Sequence, residues 1–127
     1  MNTGQKAEEY VRKYFQEKKS IDLIKAPKGE LGYDFRSKDS KIFVEVKGSA
    51  AKDFSNVLFR YFTNTEYEKA RSCRKLKQRY EIHLVVGVDT ESISHFVIPG
   101  KILLEKSKPE ISWNLPIRKE LKIYMVK

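Results

Sequence analysis

The chain has 127 residues, and its 40% share of hydrophobic residues is enough for one apolar core but not for two. Lysine and arginine number 26 against 17 acidic residues, and this net charge of +9 indicates either a polyanionic partner such as nucleic acid or a lysine-rich host composition. The single cysteine, Cys73, excludes a disulfide framework and a cysteine-rich zinc site. Because the sequence contains neither a run of about 20 apolar residues nor an apolar signal segment, we expect a cytoplasmic protein without a membrane partner.

The N-terminal quarter predicts a helix, a short strand and a loop. Apolar residues recur at helical spacing over residues 3–18, with Thr3 as the predicted N-cap and Glu8 at the edge of the apolar face. A short strand is predicted over residues 21–25. The segment 25–32 is predicted to be a loop, because it contains one proline and two glycines.

The middle of the chain predicts a hairpin, a further strand and a capped helix. Residues 33–37 and 42–47 form the predicted β-hairpin, and the aromatic-rich segment 54–62 is predicted to be a strand. Thr63 and Glu66 have the spacing of a capping box, in which each residue satisfies a main-chain N–H of the other. A helix is therefore predicted to begin there.

The last part of the chain is predicted to add three strands to a central sheet. The capped helix is predicted to end near Gln78, and three strands are predicted beyond it, over residues 80–88, 94–98 and 121–126. Strands alternating with helices in this order predict a domain of α/β or α+β class with a central sheet. The absence of repeats and linkers predicts one domain over residues 1–127.

The segment 42–47 places two ionisable side chains next to each other. Successive side chains of a strand point to opposite faces, and one face carries the apolar residues that are predicted to pack on the core: Ile42, Val44 and Val46. The opposite face carries Glu45 and Lys47, which therefore stand a few ångströms apart. Asp34, on the preceding strand of the hairpin, can be brought beside them.

Two carboxylates and a lysine in this arrangement suit phosphodiester hydrolysis. A divalent cation held by carboxylates neutralises the phosphate and acidifies a bound water, and an adjacent ammonium stabilises developing charge. Each residue also has a plain structural interpretation. Glu45 and Lys47 could be a solvated pair on a strand, Asp34 a turn residue, and Glu8 an exposed helix charge.

The order of these features resembles the PD-(D/E)XK nuclease superfamily, which includes type II restriction enzymes and archaeal Holliday-junction resolvases. A glutamate on a first helix is followed by a glycine-rich loop, Gly-x-Asp, a hairpin turn, and apolar-x-Glu-x-Lys before Gly-Ser, all within residues 4–50. The segment FRYFTNTEYEKARSCRKLKQRYEIHLVV is similar to nuclease-like domains at the ends of helicases and restriction-associated proteins. The resemblance extends to about residue 88.

The resemblance implies an α/β fold with a restriction-endonuclease-like core, in which helices flank a central mixed β-sheet. It also implies an Mg²⁺- or Mn²⁺-dependent endonuclease that hydrolyses DNA. Asp34, Glu45 and the main-chain carbonyl of Val46 would bind the metal, and Lys47 would position or help deprotonate the attacking water. Glu8 would complete the acidic cluster, with its neighbour Glu9 as the competing candidate. The proline of the superfamily motif is Tyr33 in this chain.

Other basic residues and the two histidines receive separate interpretations. Lys28, Lys52 and Arg60 flank the predicted site and are candidates for DNA binding. The cations of the second helix, from Lys69 to Arg79, are interpreted either as phosphate contacts or as a solvated helix surface. Each histidine, His83 and His95, lies in an apolar strand and is interpreted as structural.

Three functional alternatives remain open from the sequence. The resemblance makes a homodimer plausible, since cutting both strands of a duplex usually takes two sites, and the absence of nucleotide-binding glycine motifs argues against a nucleotide cofactor. The chain could instead be a resolvase of branched DNA with the same chemistry. It could also be a catalytically silent module that binds nucleic acid or protein.

Overall fold

The structure is a computed structural model that describes residues 1–29, 31–51, 58–106, 113–116 and 119–126. Side chains are described for all of these except residues 58–61, 113–114, 116 and 119–120. Within the described ranges, no helix is long and apolar enough to cross a membrane.

Helices and strands alternate along the described chain. The helical elements are α1 (Thr3–Tyr14), a π-helical turn (Phe15–Lys19), α2 (Asn64–Lys75), α3 (Gly100–Lys106) and a 3₁₀ helix (Lys119–Tyr124). The strands are β1 (Ile24–Lys25), β2 (Phe35–Arg36), β3 (Ile42–Ser49), β4 (Leu58–Phe62), β5 (Arg79–Val86), β6 (Ser94–Pro99) and β7 (Trp113–Pro116).

Five of these strands form the main sheet in the order β1-β2-β3-β5-β6. Strands β3 and β5 are parallel, and the other neighbours are antiparallel, so the sheet is mixed. Helix α1 packs on β3, while α2 and α3 pack against each other and on β5. The predicted α/β fold, with helices flanking a central mixed sheet, is confirmed.

Both faces of the main sheet are buried, and each has its own apolar cluster. The cluster under α1, called here the α1 core, contains Ala7, Val11, Phe15, Leu23, Phe35, Val44, Val46 and Val85. The cluster on the opposite face, called the α2 core, includes Phe43, Phe62, Ala70, Cys73, Tyr80, Ile82 and Leu84. The predicted alternation of β3 side chains is confirmed, but its second face is also covered. Glu45 and Lys47 therefore lie beneath α2 rather than on an open surface.

Helix α1 begins at Thr3, as predicted, but its N-cap lies one residue before the predicted one. Its N-cap is Asn2, whose side chain accepts from the Gln5 N–H at 2.8 Å, while the Gln5 side chain accepts from the Asn2 N–H at 2.9 Å. This reciprocal pair satisfies N–H groups that have no partner within the helix, and Thr3 is its first residue instead of its cap. The helix then widens into the π-helical turn and ends at Ser20, which has a left-handed φ of 55°.

Several predicted strands differ from the structure, among them the strand predicted over residues 33–37, which is reduced to β2. The strand predicted over residues 21–25 is reduced to β1. The strand predicted over 54–62 corresponds to β4, which pairs with β7 in a separate sheet; residues 54–57 lie outside the described residues. The strand ending at residue 88 stops at Val86. The predicted strand 121–126 is wrong, because that segment is largely 3₁₀ helix and meets the main sheet through a single bridge between Met125 and Phe96.

Helix α3 and strand β7 were not predicted. Helix α3 follows Pro99 directly and buries Ile102 and Leu103, and it has only 7 residues. So short a helix shows fewer than two turns of periodicity, which leaves a weak pattern in the sequence. Strand β7 has only 4 residues, and its sequence pattern is weak for the same reason.

Candidate functional site

The candidate site lies where β2 begins beside β3, along the edge of β3 that extends past β2. Asp34 immediately precedes β2, and its main-chain N–H donates to the Val44 carbonyl at 2.8 Å. The Asp34 Oδ2 atom accepts a hydrogen bond from the Val46 N–H at 2.8 Å. The carboxylate thus continues the hydrogen-bonding pattern of β2 and is fixed beside Glu45, the residue between Val44 and Val46.

Glu45 is an acid buried on the face that carries α2. Its side chain is 6% exposed, and its Oε2 lies 3.2 Å from the Lys47 Nζ. Burial raises the pKa of Glu45 well above its ordinary value, and the charges of Asp34 and Glu66 raise it further, against the opposing charge of Lys47. A cation near Glu45 would relieve this repulsion, since opposite charge favours the ionised form.

Asp34 is also held in an unfavourable environment for its charge. Burial is the main cause of its raised pKa, and the charge of Glu8 adds to it. The hydrogen bond from Val46 and the charge of Lys25 act in the opposite direction. Asp34 and Glu45 are therefore neighbouring acids whose pKa values are both raised. Residues with shifted pKa values are concentrated at functional sites.

Lys47 is held between two carboxylates. Its Nζ lies 3.2 Å from Glu45 and 3.1 and 3.2 Å from the two oxygens of Glu66, and it stands over the ring of Phe62 at 5.0 Å from the centroid. Burial lowers the pKa of Lys47, but the two carboxylates outweigh burial and leave the pKa raised. The side chain is therefore an ammonium ion held by carboxylates from both β3 and α2.

Glu66 is a site residue that the sequence analysis did not recognise. The predicted capping box is confirmed: Thr63 Oγ1 accepts from the Glu66 N–H at 3.1 Å, and Glu66 Oε1 accepts from the Thr63 N–H at 3.0 Å. The contact with Lys47 joins segments 19 residues apart. Capping explains Glu66 within its own helix, so the sequence contains no separate signal for the lysine contact.

Glu8 lies near this group but is engaged by another residue. It forms an ion pair with Lys25, whose Nζ also stands over the Phe35 ring at 4.9 Å from the centroid. A cleft of about 250 Å³ beside this pair is lined in part by Glu8, Lys25 and Phe35. Glu9, the competing candidate, lines the same cleft. The charges of Glu8 and Lys25 both act on the pKa of Asp34, so the pair borders the site. Lys25 is a second site residue that was not predicted from the sequence.

Two glycines allow the helices to approach the site. A Cβ atom on Gly48 would lie 2.7 Å from the Ala7 Cβ, so its absence lets α1 pack directly on β3 and bring Glu8 near Asp34. Gly32 has a φ of +82°, and a Cβ atom there would lie 2.5 Å from the Thr65 carbonyl oxygen. The loop before Asp34 can therefore pack closely on the first turn of α2.

The oxygen atoms of this edge are suited to a hard divalent cation. Mg²⁺ prefers oxygen ligands and usually takes one or two carboxylates, with waters or substrate oxygens completing its shell. Asp34 and Glu45 supply two carboxylates. The Val46 carbonyl points to the same edge as the Val46 N–H that Asp34 accepts, because both groups of one strand residue face the same side. In the described part of the chain, no three His, Cys, Asp or Glu side chains form a ready-made metal-binding group.

The structure describes the candidate DNA-binding residues to different extents. Lys28 is exposed in the loop before Asp34. Lys52 lies outside the described residues, and so does the side chain of Arg60, whose main chain is part of β4. Lys69 does not extend into solvent, because its Nζ stands over the Phe43 ring at 3.9 Å from the centroid.

The two histidines form a buried pair on the α1 side of the sheet. His83 Nδ1 lies 2.9 Å from His95 Nε2, and His83 Nε2 lies 3.0 Å from Glu81 Oε1. Because the Glu81 carboxylate accepts a hydrogen bond from His83 Nε2, His83 Nδ1 accepts one from His95 Nε2, and His95 Nδ1 is a buried acceptor without a partner among the described residues. Burial lowers the pKa of His95 to about 3. These residues pack against Tyr14 and lie apart from the carboxylate pair, in agreement with a structural role.

Comparison with solved structures shows the fold. The chain is similar to Hjc, a Holliday junction resolvase from the archaeal hyperthermophile Archaeoglobus fulgidus, with a TM-score of 0.62 and 10% sequence identity. The match covers 99% of this chain and 92% of the Hjc chain. At this level of identity the likeness concerns the arrangement of helices and strands. Among curated proteins, none matches this sequence.

Sequence comparison identifies the family. The profile of the family described as "Protein NO VEIN, C-terminal" matches residues 4–98. The matched region begins at the start of α1 and ends in β6, so it includes every residue of the candidate site. Because it spans well over half of the 127 residues, the chain belongs to the NO VEIN C-terminal family.

Proposed function

We propose that this chain is a metal-dependent endonuclease that hydrolyses phosphodiester bonds of DNA. The observation that carries the proposal is the pair of neighbouring acids with raised pKa values, Asp34 and Glu45. The Lys47 ammonium lies beside them, 3.2 Å from Glu45 Oε2. A domain that served only as a scaffold would gain stability by replacing such a pair with neutral side chains. A pair of acids that costs stability in this way fits a function that needs its negative charge.

Asp34, Glu45 and the Val46 carbonyl would hold Mg²⁺ or Mn²⁺. The bound ion would neutralise the phosphate and lower the pKa of a coordinated water. Glu8 would contribute negative charge from the helix side of the site, since its charge already acts on Asp34.

Lys47 has the geometry to stabilise charge that develops at phosphorus. Its contacts with Glu45 and Glu66 keep the ammonium protonated and oriented, which favours donation of a hydrogen bond to a phosphate oxygen or to the attacking water. Removal of a proton from water would instead need neutral lysine. Of the two roles inferred from the sequence, positioning of the water is therefore favoured over deprotonation.

Two general features support DNA as the substrate. The net charge of +9 attracts a polyanion, and the fold is that of a Holliday junction resolvase. Lys28, Lys52 and Arg60 remain the proposed contacts with the DNA backbone. A homodimer is part of the proposal, because two sites are needed to cut both strands of a duplex. The proposal also treats residues 1–127 as one domain.

A resolvase of branched DNA is the second candidate, favoured by the likeness to Hjc. It requires the same site and differs in the substrate bound. Cleavage of a four-way junction compared with a linear duplex of the same sequence distinguishes the two. A preference of at least about tenfold for the junction would favour the resolvase, and equal cleavage would favour the general endonuclease.

The test of the proposed function is nicking of supercoiled plasmid in Mg²⁺ and in Mn²⁺. We expect nicking by the wild type, its loss in chelator, and its loss in both Asp34→Ala and Lys47→Ala. Glu105→Gln, an exposed acid on α3, is the matched control and should nick normally. DNA binding that is unaffected by chelator, with no nicking at any metal concentration, would instead identify a silent binding module.

A further inference from the structure

We propose that Glu66 is a positioning residue that fixes the Lys47 ammonium for the reaction, in addition to capping α2. This inference rests on the proposed nuclease function, since it concerns the same site. Its basis is geometric: both oxygens of Glu66 lie within hydrogen-bonding distance of the Lys47 Nζ, at 3.1 and 3.2 Å.

The capping box makes Glu66 a rigid partner for the lysine. Glu66 Oε1 accepts from the Thr63 N–H at 3.0 Å, so the carboxylate is bound to the main chain that precedes α2. Its side chain is 13% exposed, which leaves little room for other orientations. A carboxylate restrained in this way defines the position of the ammonium that it binds.

Without Glu66, the remaining contacts would leave Lys47 less constrained. Glu45 would be its other carboxylate partner among the described residues, and Glu45 is one of the acids proposed to bind the metal. A lysine held by Glu45 alone would shift with every change in the charge of that residue. Glu66 supplies a second anchor from a different element, so that the ammonium stays in place when Glu45 binds a cation.

Capping and positioning can be separated by two matched variants. Glu66→Gln keeps a side-chain oxygen for the Thr63 N–H but removes the negative charge that holds Lys47. Thr63→Ala removes the hydroxyl that accepts from the Glu66 N–H but leaves the Glu66 carboxylate beside Lys47. The first variant tests positioning, and the second tests capping.

We expect opposite effects on turnover and on stability. Glu66→Gln should lower kcat for plasmid nicking between about 10- and 100-fold with little change in KM, since misplacement of a catalytic group by about 1 Å has effects of this size. Its Tm should stay within about 2 °C of the wild type. Thr63→Ala should lower the Tm by about 3 °C or more and leave kcat unchanged below the transition. Equal losses of kcat in both variants, or no loss in Glu66→Gln, would overturn the proposal.

A measurement without substrate keeps this inference separate from the proposed function. The ¹³C-labelled ε-methylene of Lys47, assigned with Lys47→Arg, should give two resolved proton signals when the ammonium is fixed. In Glu66→Gln the two signals should merge, and in Thr63→Ala they should stay apart. If the wild type never nicks DNA but this pattern appears, the positioning contact stands and the nuclease proposal fails. If the signals are already merged in the wild type, the positioning contact itself is refuted.

Discussion

Asp34→Asn should make the metal-free protein more stable. The amide oxygen can still accept the hydrogen bond that the Val46 N–H donates at 2.8 Å, so the contact with β3 is kept. The substitution removes one charge from the pair of neighbouring acids. Because the pKa values of Asp34 and Glu45 are both raised, their ionised forms are less stable in the folded protein than in the unfolded chain.

The magnitude follows from the repulsion that is removed. Coulomb's law gives about 4 kcal/mol for two like charges about 4 Å apart at an effective dielectric of about 20. The Lys47 ammonium, 3.2 Å from Glu45, offsets part of this repulsion. We therefore expect a net gain of about 1 to 2 kcal/mol at pH 8, or about 3 to 6 °C in Tm for a chain of this length.

The pH dependence has a definite sign. A carboxyl group whose folded-state pKa is raised holds its proton longer in the folded protein, so stability is lost as pH rises from its ordinary value through the raised value. For Asp34 and Glu45 the ordinary values are 3.8 and 4.5. The advantage of Asp34→Asn should therefore be close to zero near pH 4 and grow as pH rises from there through the raised pKa values of the two acids.

Thermal unfolding with and without Mg²⁺ is the assay. An ion present at 100 times its Kd stabilises the folded protein by about 2.7 kcal/mol, and this gain should appear in the wild type and in Glu105→Gln but not in Asp34→Asn. Two results would contradict these expectations for Asp34→Asn. One is a lower Tm for Asp34→Asn at pH 8, and the other is an equal response of that variant to Mg²⁺.

Three further predictions concern other parts of the structure. Gly48→Ala should cost about 1 to 3 kcal/mol in urea unfolding, because the added methyl would lie 2.7 Å from the Ala7 side chain; an unchanged midpoint would show that α1 can move. The contribution of His95 to stability should fall by up to about 4 kcal/mol between pH 6.5 and pH 3, because His95 has a folded-state pKa of about 3 and takes up a proton only on unfolding. His95→Gln should remove most of this slope in urea titrations, and a slope equal to that of the wild type would assign it to other groups. Lys25→Met should tighten Mn²⁺ binding several-fold in calorimetry, because Lys25 is paired with Glu8 and its charge acts on Asp34; weaker binding would give Lys25 the opposite role.

The predictions that succeeded rest on local patterns. The alternation of apolar and ionisable residues in β3 placed Glu45 and Lys47 on one face, and the hairpin turn brought Asp34 to the same strand. The capping box fixed the start of α2, because its two hydrogen bonds join residues three apart. Patterns of this kind depend on neighbours in sequence, which the sequence displays directly.

The features that were missed depend on contacts between distant segments. The contact of Lys47 with Glu66 and the pair of Glu8 with Lys25 exist because helices pack on the sheet, and their residues are 19 and 17 positions apart. The buried pair of His83 and His95 also joins separate segments, because the pairing of β5 with β6 brings the two residues together. No local periodicity encodes such pairs.

Two errors have local physical causes. Asn2 replaced Thr3 as the cap of α1, since both residues can cap and only Asn2 has a glutamine three positions later to complete the pair. The segment 121–126 has the apolar composition of a strand, but only Met125 bridges β6, and Leu121 is instead buried from a 3₁₀ helix. Burial of apolar residues does not by itself distinguish a strand from a short helix.

Anomalous diffraction from crystals soaked in Mn²⁺ would show whether Asp34 and Glu45 hold a divalent cation. We expect one anomalous peak per chain, within bonding distance of the carboxylates of Asp34 and Glu45 and of the Val46 carbonyl, and its loss in Asp34→Asn. A wild-type protein that shows no peak at this edge of the sheet, or binds Mn²⁺ only elsewhere, would contradict the claim that these acids hold a divalent cation for DNA cleavage.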